Sequence, residues 1–316
     1  MQLFALPESQ EFGEAIADAL EIRLSLLEMR DFEDGEHKGR PLVDVRGEDV
    51  FIVQSLHGDE LLSVNDKICR FLFLAGEMRD CGANRVVALI TYLAYARKDR
   101  RTKPNDPLTA RYLAQAIEAM GVDLVVALEV HNPAAFENAF RIPTICLDPH
   151  EAFAHHIKER VADRQVVVVS PDTGGVKRAQ LFREALERVL SKPVDLAYVE
   201  KRRSAGVVSG DLLIGEVGGA TVLIIDDLIS TGGTMMRAAE KCRAQGAGEI
   251  YALAAHGLFV GKASEVLASK VFSKVIVTDS VPPFRVAPPI AAKHLEIVSA
   301  APLFADTIRR CLSPHR

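Results

Sequence analysis

Cysteine is scarce. Five residues in 316 (Cys69, Cys81, Cys146, Cys242, Cys311) are scattered and odd in number. That excludes a disulfide framework and any recognisable metal-ligand spacing, and it reads as reduced thiols of a cytoplasmic protein, mostly packing residues. No apolar run approaches the roughly 18 residues of a membrane-spanning helix, so no membrane partner is expected. Basic residues are not in excess: 38 Lys and Arg face 43 Asp and Glu, a formal net charge of −5. Bulk attraction to nucleic acid is therefore not expected, and any anion site has to be built locally. The first residues, Met1 to Pro7, carry no basic region and are too short for a secretory signal. What is present is ample apolar content, 48%, against 26% charged. That is enough to bury a core, and the length suits two domains of about 150 residues each.

The chain is organised around Thr221 to Thr234. Val222, Leu223, Ile224 and Ile225 form an apolar run, three of them β-branched, as in a strand covered on both faces. Asp226 and Asp227 follow, then Ser230-Thr231-Gly232-Gly233-Thr234 ahead of a helix start. Small residues, two glycines and two threonine hydroxyls there point backbone N–H groups and a helix N-terminus at one spot, which suits a phosphate. The aspartates sit within reach of sugar hydroxyls, or of a metal held by them. The glycines alone would be a generic turn, but paired acids on a buried strand end need a partner.

Taken in order, residues 3–6 read as a strand and 10–20 as a helix. Met29 to His37 is a polar loop or hairpin with one aromatic, Phe32, among acids. Residues 49–55 read as a strand, and 61–81 as a long helix ending at Gly82. A strand at 86–90 leads to Tyr95-Ala96-Arg97-Lys98-Asp99-Arg100-Arg101-Thr102-Lys103, five cations in seven residues beyond a strand end. Such a run is usually a solvated face; its position makes phosphate binding an equal reading. A helix over 107–120 and a strand over 123–130 follow. Glu129 and His131, two apart, are expected on one strand face, a candidate pair for a divalent metal or for ATP phosphates. His155 and His156, adjacent on a helix over 152–161, diverge and read as surface residues. After a strand at 165–170, Pro171-Asp172-Thr173-Gly174-Gly175-Val176-Lys177-Arg178 is a second glycine-rich strand-to-helix loop, suited to phosphate or metal-phosphate. A strand over 194–199 precedes Glu200 to Gly210, basic and small, expected as a mobile loop bearing cations. Further strands are read at 250–255, 275–278 and 295–298. Pro282-Pro283 and Pro288-Pro289 mark an irregular connection, and 304–311 a last helix.

Three segments share one pattern: Gly82–Leu89, Gly121–Leu128 and Gly246–Leu253. Each leaves a helix at glycine and enters a buried strand, as in wound parallel sheets. The expected fold is α/β: residues 1–146 form an N-terminal domain, with the helix over 304–316 packing on it, and 147–303 a C-terminal domain holding the Thr231–Thr234 loop.

Several of these motifs, in the same order over nearly the whole chain, resemble ribose-phosphate diphosphokinases, the synthases of phosphoribosyl pyrophosphate. Arg46 to Ser55 is similar to that family's early strand, and Tyr95 to Arg100 to its Tyr-Ala-Arg-Gln-Asp-Arg segment. Ser170 to Arg178 is similar to its Ser-Pro-Asp-x-Gly-Gly-x-Lys-Arg loop, and Asp226 to Thr234 to its Asp-Asp-x-x-x-Thr-Gly-Gly-Thr. The resemblance implies two tandem phosphoribosyltransferase-like domains, each a mostly parallel sheet flanked by helices. It implies transfer of the β,γ-diphosphoryl group of ATP to the C1 hydroxyl of ribose 5-phosphate, with Mg²⁺ as cofactor. Residues 230–234 (Ser230, Thr231, Gly232, Gly233, Thr234) would hold the sugar phosphate, and Asp226 and Asp227 the ribose hydroxyls. Phe32 would stack on adenine, with Glu33, Asp34 and Glu36 beside the nucleotide; in the family this loop reaches a neighbouring subunit, so a homo-oligomer is implied. Arg97 and Lys98 would lie along ATP, and His131 and Asp172 would be magnesium-linked. Lys201 and Arg203 fall where the family carries its catalytic cations, Arg203 also near the sugar phosphate.

There are departures. The polar residues that follow the family's histidine are replaced here by Asn132 to Ala139. Lys98 stands where glutamine is common and Ser230 where aspartate is frequent; Ser230 and Asp34 are similar to the archaeal-type subset. Two other functions fit parts of the pattern: a non-catalytic regulatory paralogue, and a phosphoribosyltransferase. The loop cations and paired aspartates argue against the first. The Phe32 loop and the basic 97–103 segment argue against the second.

Overall fold

The strands of this chain are short apolar runs between glycine-closed helices, and they assemble into two parallel sheets. The computed structural model describes residues 1–204 and 207–313; the side chains of 201–211 also lie outside the described set. Two units result: Met1–Leu147 together with the chain from Ala300 onward, and Asp148–Ser299.

The first unit contains β1 (Gln2–Ala5), α1 (Gln10–Leu20), β2 (Leu27–Asp31), β3 (His37–Pro41), β4 (Asp49–Ser55), α2 (Val64–Asp80), β5 (Arg85–Tyr92), α3 (Thr109–Ala119), β6 (Leu124–Leu128), α4 (Pro133–Ala139) and β7 (Thr144–Leu147). Five strands form a parallel sheet in the order β1-β4-β5-β6-β7, while β2 and β3 pair only with each other. Both faces of the sheet are covered, which is why Val86 to Ile90 are all buried. One face packs on α2 and α3 through Phe71, Leu74, Met78, Leu113 and Ile117. The other packs on α1 and on the last helix through Phe12, Ile16, Phe304 and Ile308.

The second unit contains α5 (His150–Val161), β8 (Val166–Ser170), α6 (Val176–Leu190), β9 (Asp195–Ser204), β10 (Val207–Ile214), β11 (Thr221–Ile229), α7 (Gly233–Ala244), β12 (Ile250–Gly257), α8 (Ala263–Leu267), β13 (Lys274–Thr278), α9 (Pro288–His294) and β14 (Leu295–Val298); α10 (Ala301–Leu312) returns to the first unit. Its seven-stranded sheet runs β10-β9-β8-β11-β12-β13-β14, parallel except for the β9–β10 hairpin. From β8 the chain winds outward to β9 and β10, then returns to lay β11 on the other side of β8. The order therefore reverses between β8 and β11, and open parallel sheets bind ligands at the carboxyl ends of strands at such a reversal.

The repeated glycine joints are stitched by arginines. Gly82, Gly121 and Gly246 all take positive φ (87°, 80° and 84°), the left-handed exit open to glycine. Arg79 donates through Nε to the Gly121 carbonyl at 2.7 Å and through Nη1 to the Ala83 and Asn84 carbonyls at 3.1 Å. Arg243 plays the same part in the second unit, donating to the Ala247 carbonyl at 2.9 Å.

Several local expectations are corrected. The helix read over 61–81 starts at Val64, where Ser63 and Asp66 form a reciprocal capping box. Residues 56–62 are instead a loop pinned from inside. Lys67, fully buried, places Nζ 2.5 Å from Asp59 Oδ2 and 3.3 Å from His57 Nε2. Asp59 Oδ1 accepts from the Leu61 and Leu62 N–H groups at 2.8 Å. An ammonium only donates, so His57 Nε2 accepts and its Nδ1–H points at Ser55 Oγ, 2.8 Å away. Pro288-Pro289, read as irregular, opens α9, where proline at the first turn removes no helical hydrogen bond. His156, read as a surface residue, lies 2.7 Å from Glu296 of β14. The stretch 200–210, read as a loop, is the paired end of β9 and start of β10, with residues 205 and 206 outside the described residues. Pairing with a second extended segment supplies the backbone partners that its composition did not announce.

Candidate active site

In the second unit the two glycine-rich loops leave adjacent strands at the point of reversal. β11 runs in register with β8 from Thr221↔Val166 to Ile224↔Val169, so Asp226 and Asp227 lie near and beyond the end of β8 at Ser170. The Pro171–Gly175 and Ser230–Thr234 loops therefore open at the same edge.

The Ser230–Thr234 loop is set by Gly232. Its φ of 78° is left-handed, and a Cβ there would meet Val266 Cγ1 at 2.7 Å. No side chain fits, so the turn into α7 can be made only by glycine. The Ser230 carbonyl accepts from Val260 N–H at 3.0 Å and the Ile229 carbonyl from Leu258 and Phe259, which braces the loop from the β12 side. Thr231 is exposed, and α7 starts at Gly233 with its first N–H groups on this side. Arg237, one turn into α7, reaches Thr234 Oγ1 at 3.4 Å. It adds a cation beside a loop of uncharged residues.

Asp226 and Asp227 form a crowded acid pair. Asp226 Oδ1 accepts from Asp227 N–H at 2.9 Å and from Arg178 Nη1 at 3.2 Å. Burial first, and then the Asp227 charge, hold the Asp226 carboxyl well above the ordinary carboxylate range, at about 8, while Arg178 pulls it down. Asp172 caps the turn before α6: one carboxylate oxygen accepts from Gly174 and Gly175 N–H at 3.0 and 3.2 Å.

In the first unit, Phe32, Glu33, Asp34 and Glu36 occupy the turn of the β2–β3 hairpin. Phe32 N–H donates to the Glu36 carbonyl at 2.9 Å, and Asp34 Oδ1 accepts from Glu36 N–H at 3.1 Å. The Arg30 guanidinium lies 5.0 Å from the Phe32 ring centroid. The hairpin is fastened to α2, where Arg70 pairs with Asp31 and Phe73 stacks on His37. Arg97 and Lys98 are exposed in the turn after β5, and His131 is exposed after β6. Glu129 and His131 do not share a strand face. β6 ends at Leu128, and Glu129 takes φ of 34°, so the alternation that would align them has already stopped. Among the described residues no three His, Cys, Asp or Glu side chains gather into a metal cage, and no helix is long and apolar enough to cross a membrane. The side chains of Lys201 and Arg203 lie outside the described residues; their backbones pair with Asp211 and Val208.

Two candidate residues were given no individual role from sequence: Arg178, read only as one of two basic residues in its loop, and Arg237. Arg178 stands inside a motif that was read, on the first turn of α6, and Arg237 stands just past the other, on the second turn of α7. A cation at that spacing is the signal that could have found them.

Residues 1–121 match the family model for the N-terminal domain of ribose phosphate pyrophosphokinase, and residues 206–315 match the phosphoribosyl synthetase-associated domain. The chain is 34% identical over 311 residues to the ribose-phosphate pyrophosphokinase of Hyphomonas neptunium, covering 98% of this chain and 96% of that protein. It is 35% identical to that of Caldanaerobacter subterraneus, covering 98% and 94%. The crystal structure of phosphoribosylpyrophosphate synthetase from Mycobacterium smegmatis superposes with a TM-score of 0.88 at 30% identity, covering 98% of each chain.

Proposed function

The chain belongs to the ribose-phosphate pyrophosphokinase family, and on that premise we propose how its residues divide the reaction. It is an ATP-dependent ribose-phosphate diphosphokinase built of two phosphoribosyltransferase-like domains. It makes phosphoribosyl pyrophosphate and AMP from ATP and ribose 5-phosphate. The single observation that carries the sugar half is the reversal point between β8 and β11, which brings the Asp172 loop to the edge that holds the acid pair and the Gly232 loop.

In this reading Thr231, Gly233 and Thr234 grip the sugar phosphate through N–H and hydroxyl groups, with Ser230 and Arg237 at its side. Asp226 and Asp227 accept hydrogen bonds from ribose hydroxyls and so fix which oxygen is presented. The C1 oxygen attacks the β-phosphorus, the bond from that phosphorus to the oxygen bridging to the α-phosphorus breaks, AMP leaves with that oxygen, and the hydroxyl proton passes to water. Charge builds on the bridging and equatorial oxygens, and catalysis of this kind is mostly positioning and cationic stabilisation. Arg97 and Lys98 serve the nucleotide, and Phe32 with Glu33, Asp34 and Glu36 takes the adenine end, in a neighbouring copy of a cytoplasmic homo-oligomer. Lys201 and Arg203 are assigned to the transferring group from the sequence alone.

Mg²⁺ fits the donors that are present. Asp172 offers a hard carboxylate, and His131 suits a second site through a bound water. A cation whose other positions are water and phosphate oxygens needs no three-residue protein cage. Bound there, Mg²⁺ would neutralise phosphate charge and polarise the β-phosphorus.

The test is AMP release from ATP and Mg²⁺, with and without ribose 5-phosphate. Sugar-dependent AMP supports the reading, and its absence refutes it.

A further inference from the structure

We infer that Asn132 is a positioning residue that fixes the nucleotide-side loops against each other through Asp99. The inference rests on the reading that Arg97, Lys98 and His131 serve the nucleotide. β5 and β6 are neighbouring parallel strands, with Ile90 opposite Ala127. The chain leaves β5 through a turn that presents Arg97 and Lys98, and leaves β6 through left-handed Glu129 to present His131. Asn132 stands where the two loops meet. Its Nδ2 donates to Asp99 Oδ2 at 2.8 Å, and its Oδ1 accepts from Ala135 N–H at 3.2 Å, capping α4. One amide thus uses its donor end for the loop next to Lys98 and its acceptor end for the helix next to His131.

Packing seats the start of this loop but not its tip. Leu93 and Ala94 are buried in the core, whereas Arg97 and Lys98 are exposed. An exposed stretch takes its position from its polar ties, and a misplacement of about 1 Å in a substrate-holding group costs rate or affinity. The segment after His131 is also where this chain departs from the polar sequence that the family resemblance suggests. The Asn132 bond is the device this chain carries there.

The test is steady-state kinetics on the full chain. Asn132→Ser keeps a helix-capping oxygen and removes the donor to Asp99. It should raise KM for ATP roughly three- to tenfold, the effect of one lost hydrogen bond in a positioning role. KM for ribose 5-phosphate and Tm should hold. Asn132→Asp also keeps the cap but sets a second carboxylate against Asp99, and should raise KM for ATP further. Combining N132D with D99N restores a donor and an acceptor with their roles exchanged, and should recover KM for ATP toward that of the parent. The inference is overturned if N132S leaves KM for ATP unchanged, if both KM values rise together, or if the exchanged pair fails to improve on N132D. Arg97→Ala run in parallel separates the levels. An unchanged KM for ATP in that variant overturns the nucleotide-side reading itself, whereas a rise there without one in N132S overturns only the role of Asn132.

Discussion

Arg178 Nη1 lies 3.2 Å from Asp226 Oδ1, with the two side chains only 10% and 20% exposed, so a cation on the first turn of α6 sets the charge of the acid pair at the end of β11. Asp226 is otherwise driven toward its neutral form by burial and by Asp227. Arg178→Ala should therefore push Asp226 further toward its neutral form, so that near pH 8 the pair carries less negative charge and is a poorer acceptor for ribose hydroxyls. KM for ribose 5-phosphate should rise by roughly ten- to a hundredfold, in line with the strength of hydrogen bonds to charged groups. Arg178→Lys should recover only part of this, because an ammonium does not reproduce the fork of a guanidinium. Initial rates against each substrate separately are the check; an effect confined to ATP would contradict the assignment.

The same acid pair makes stability depend on pH. Asp226 has its folded pKa raised above the unfolded value, so its contribution to stability is present in acid and is lost as pH rises toward that folded value. Asp226→Asn does not titrate. The unliganded variant should therefore match the parent near pH 4 and exceed it in Tm by several degrees near pH 8, while losing ribose 5-phosphate binding. Thermal melts across pH, with calorimetric titration of the sugar phosphate, measure both.

The Lys67–Asp59 pair predicts an asymmetry. The Lys67 side chain is wholly buried, whereas Asp59 is 21% exposed. Asp59→Asn strands a buried ammonium and should cost about 3–5 kcal/mol. Lys67→Met leaves a carboxylate that water can reach and should cost less. Burial alone would raise the Asp59 pKa, but the hydrogen bonds from Lys67 and from the Leu62 and Leu61 N–H groups outweigh it and hold it below its ordinary value. That stabilisation is present above about pH 3.9 and lost as pH falls through the folded pKa, so the gap between parent and Asp59→Asn should close in acid. Urea denaturation at neutral and acid pH reads this out.

In the proposed division, Ser230 offers a neutral hydroxyl beside the loop assigned to the sugar phosphate. An aspartate there would set a negative charge against a phosphate, so Ser230→Asp should leave KM for ribose 5-phosphate equal or higher. A clear drop in KM would show that the charge argument is wrong at this position.

Much of this site could be read from sequence, for local reasons. The run Val222 to Ile225, the two aspartates and the Gly232 turn are contiguous, and a strand, a strand end and a left-handed turn each leave a local signature. The partner of Asp226 left none. Arg178 is 48 positions away and meets it only because α6 packs beside β11. Glu129 was misplaced because alternation cannot say where a strand stops, and β6 stops at Leu128, two residues before the end read from sequence. Burial of Lys67 has no local signature either, since it depends on Asp59 and His57 arriving from the preceding loop.

The central claim is that the Gly232 loop serves the sugar phosphate and the β5–β6 loops serve the nucleotide. The most direct measurement is the pair of KM values in two variants, Thr231→Ala and Arg97→Ala. The account predicts that Thr231→Ala raises KM for ribose 5-phosphate with KM for ATP little changed, and that Arg97→Ala does the reverse. Equal effects on both substrates in both variants, or the opposite pairing, would contradict it.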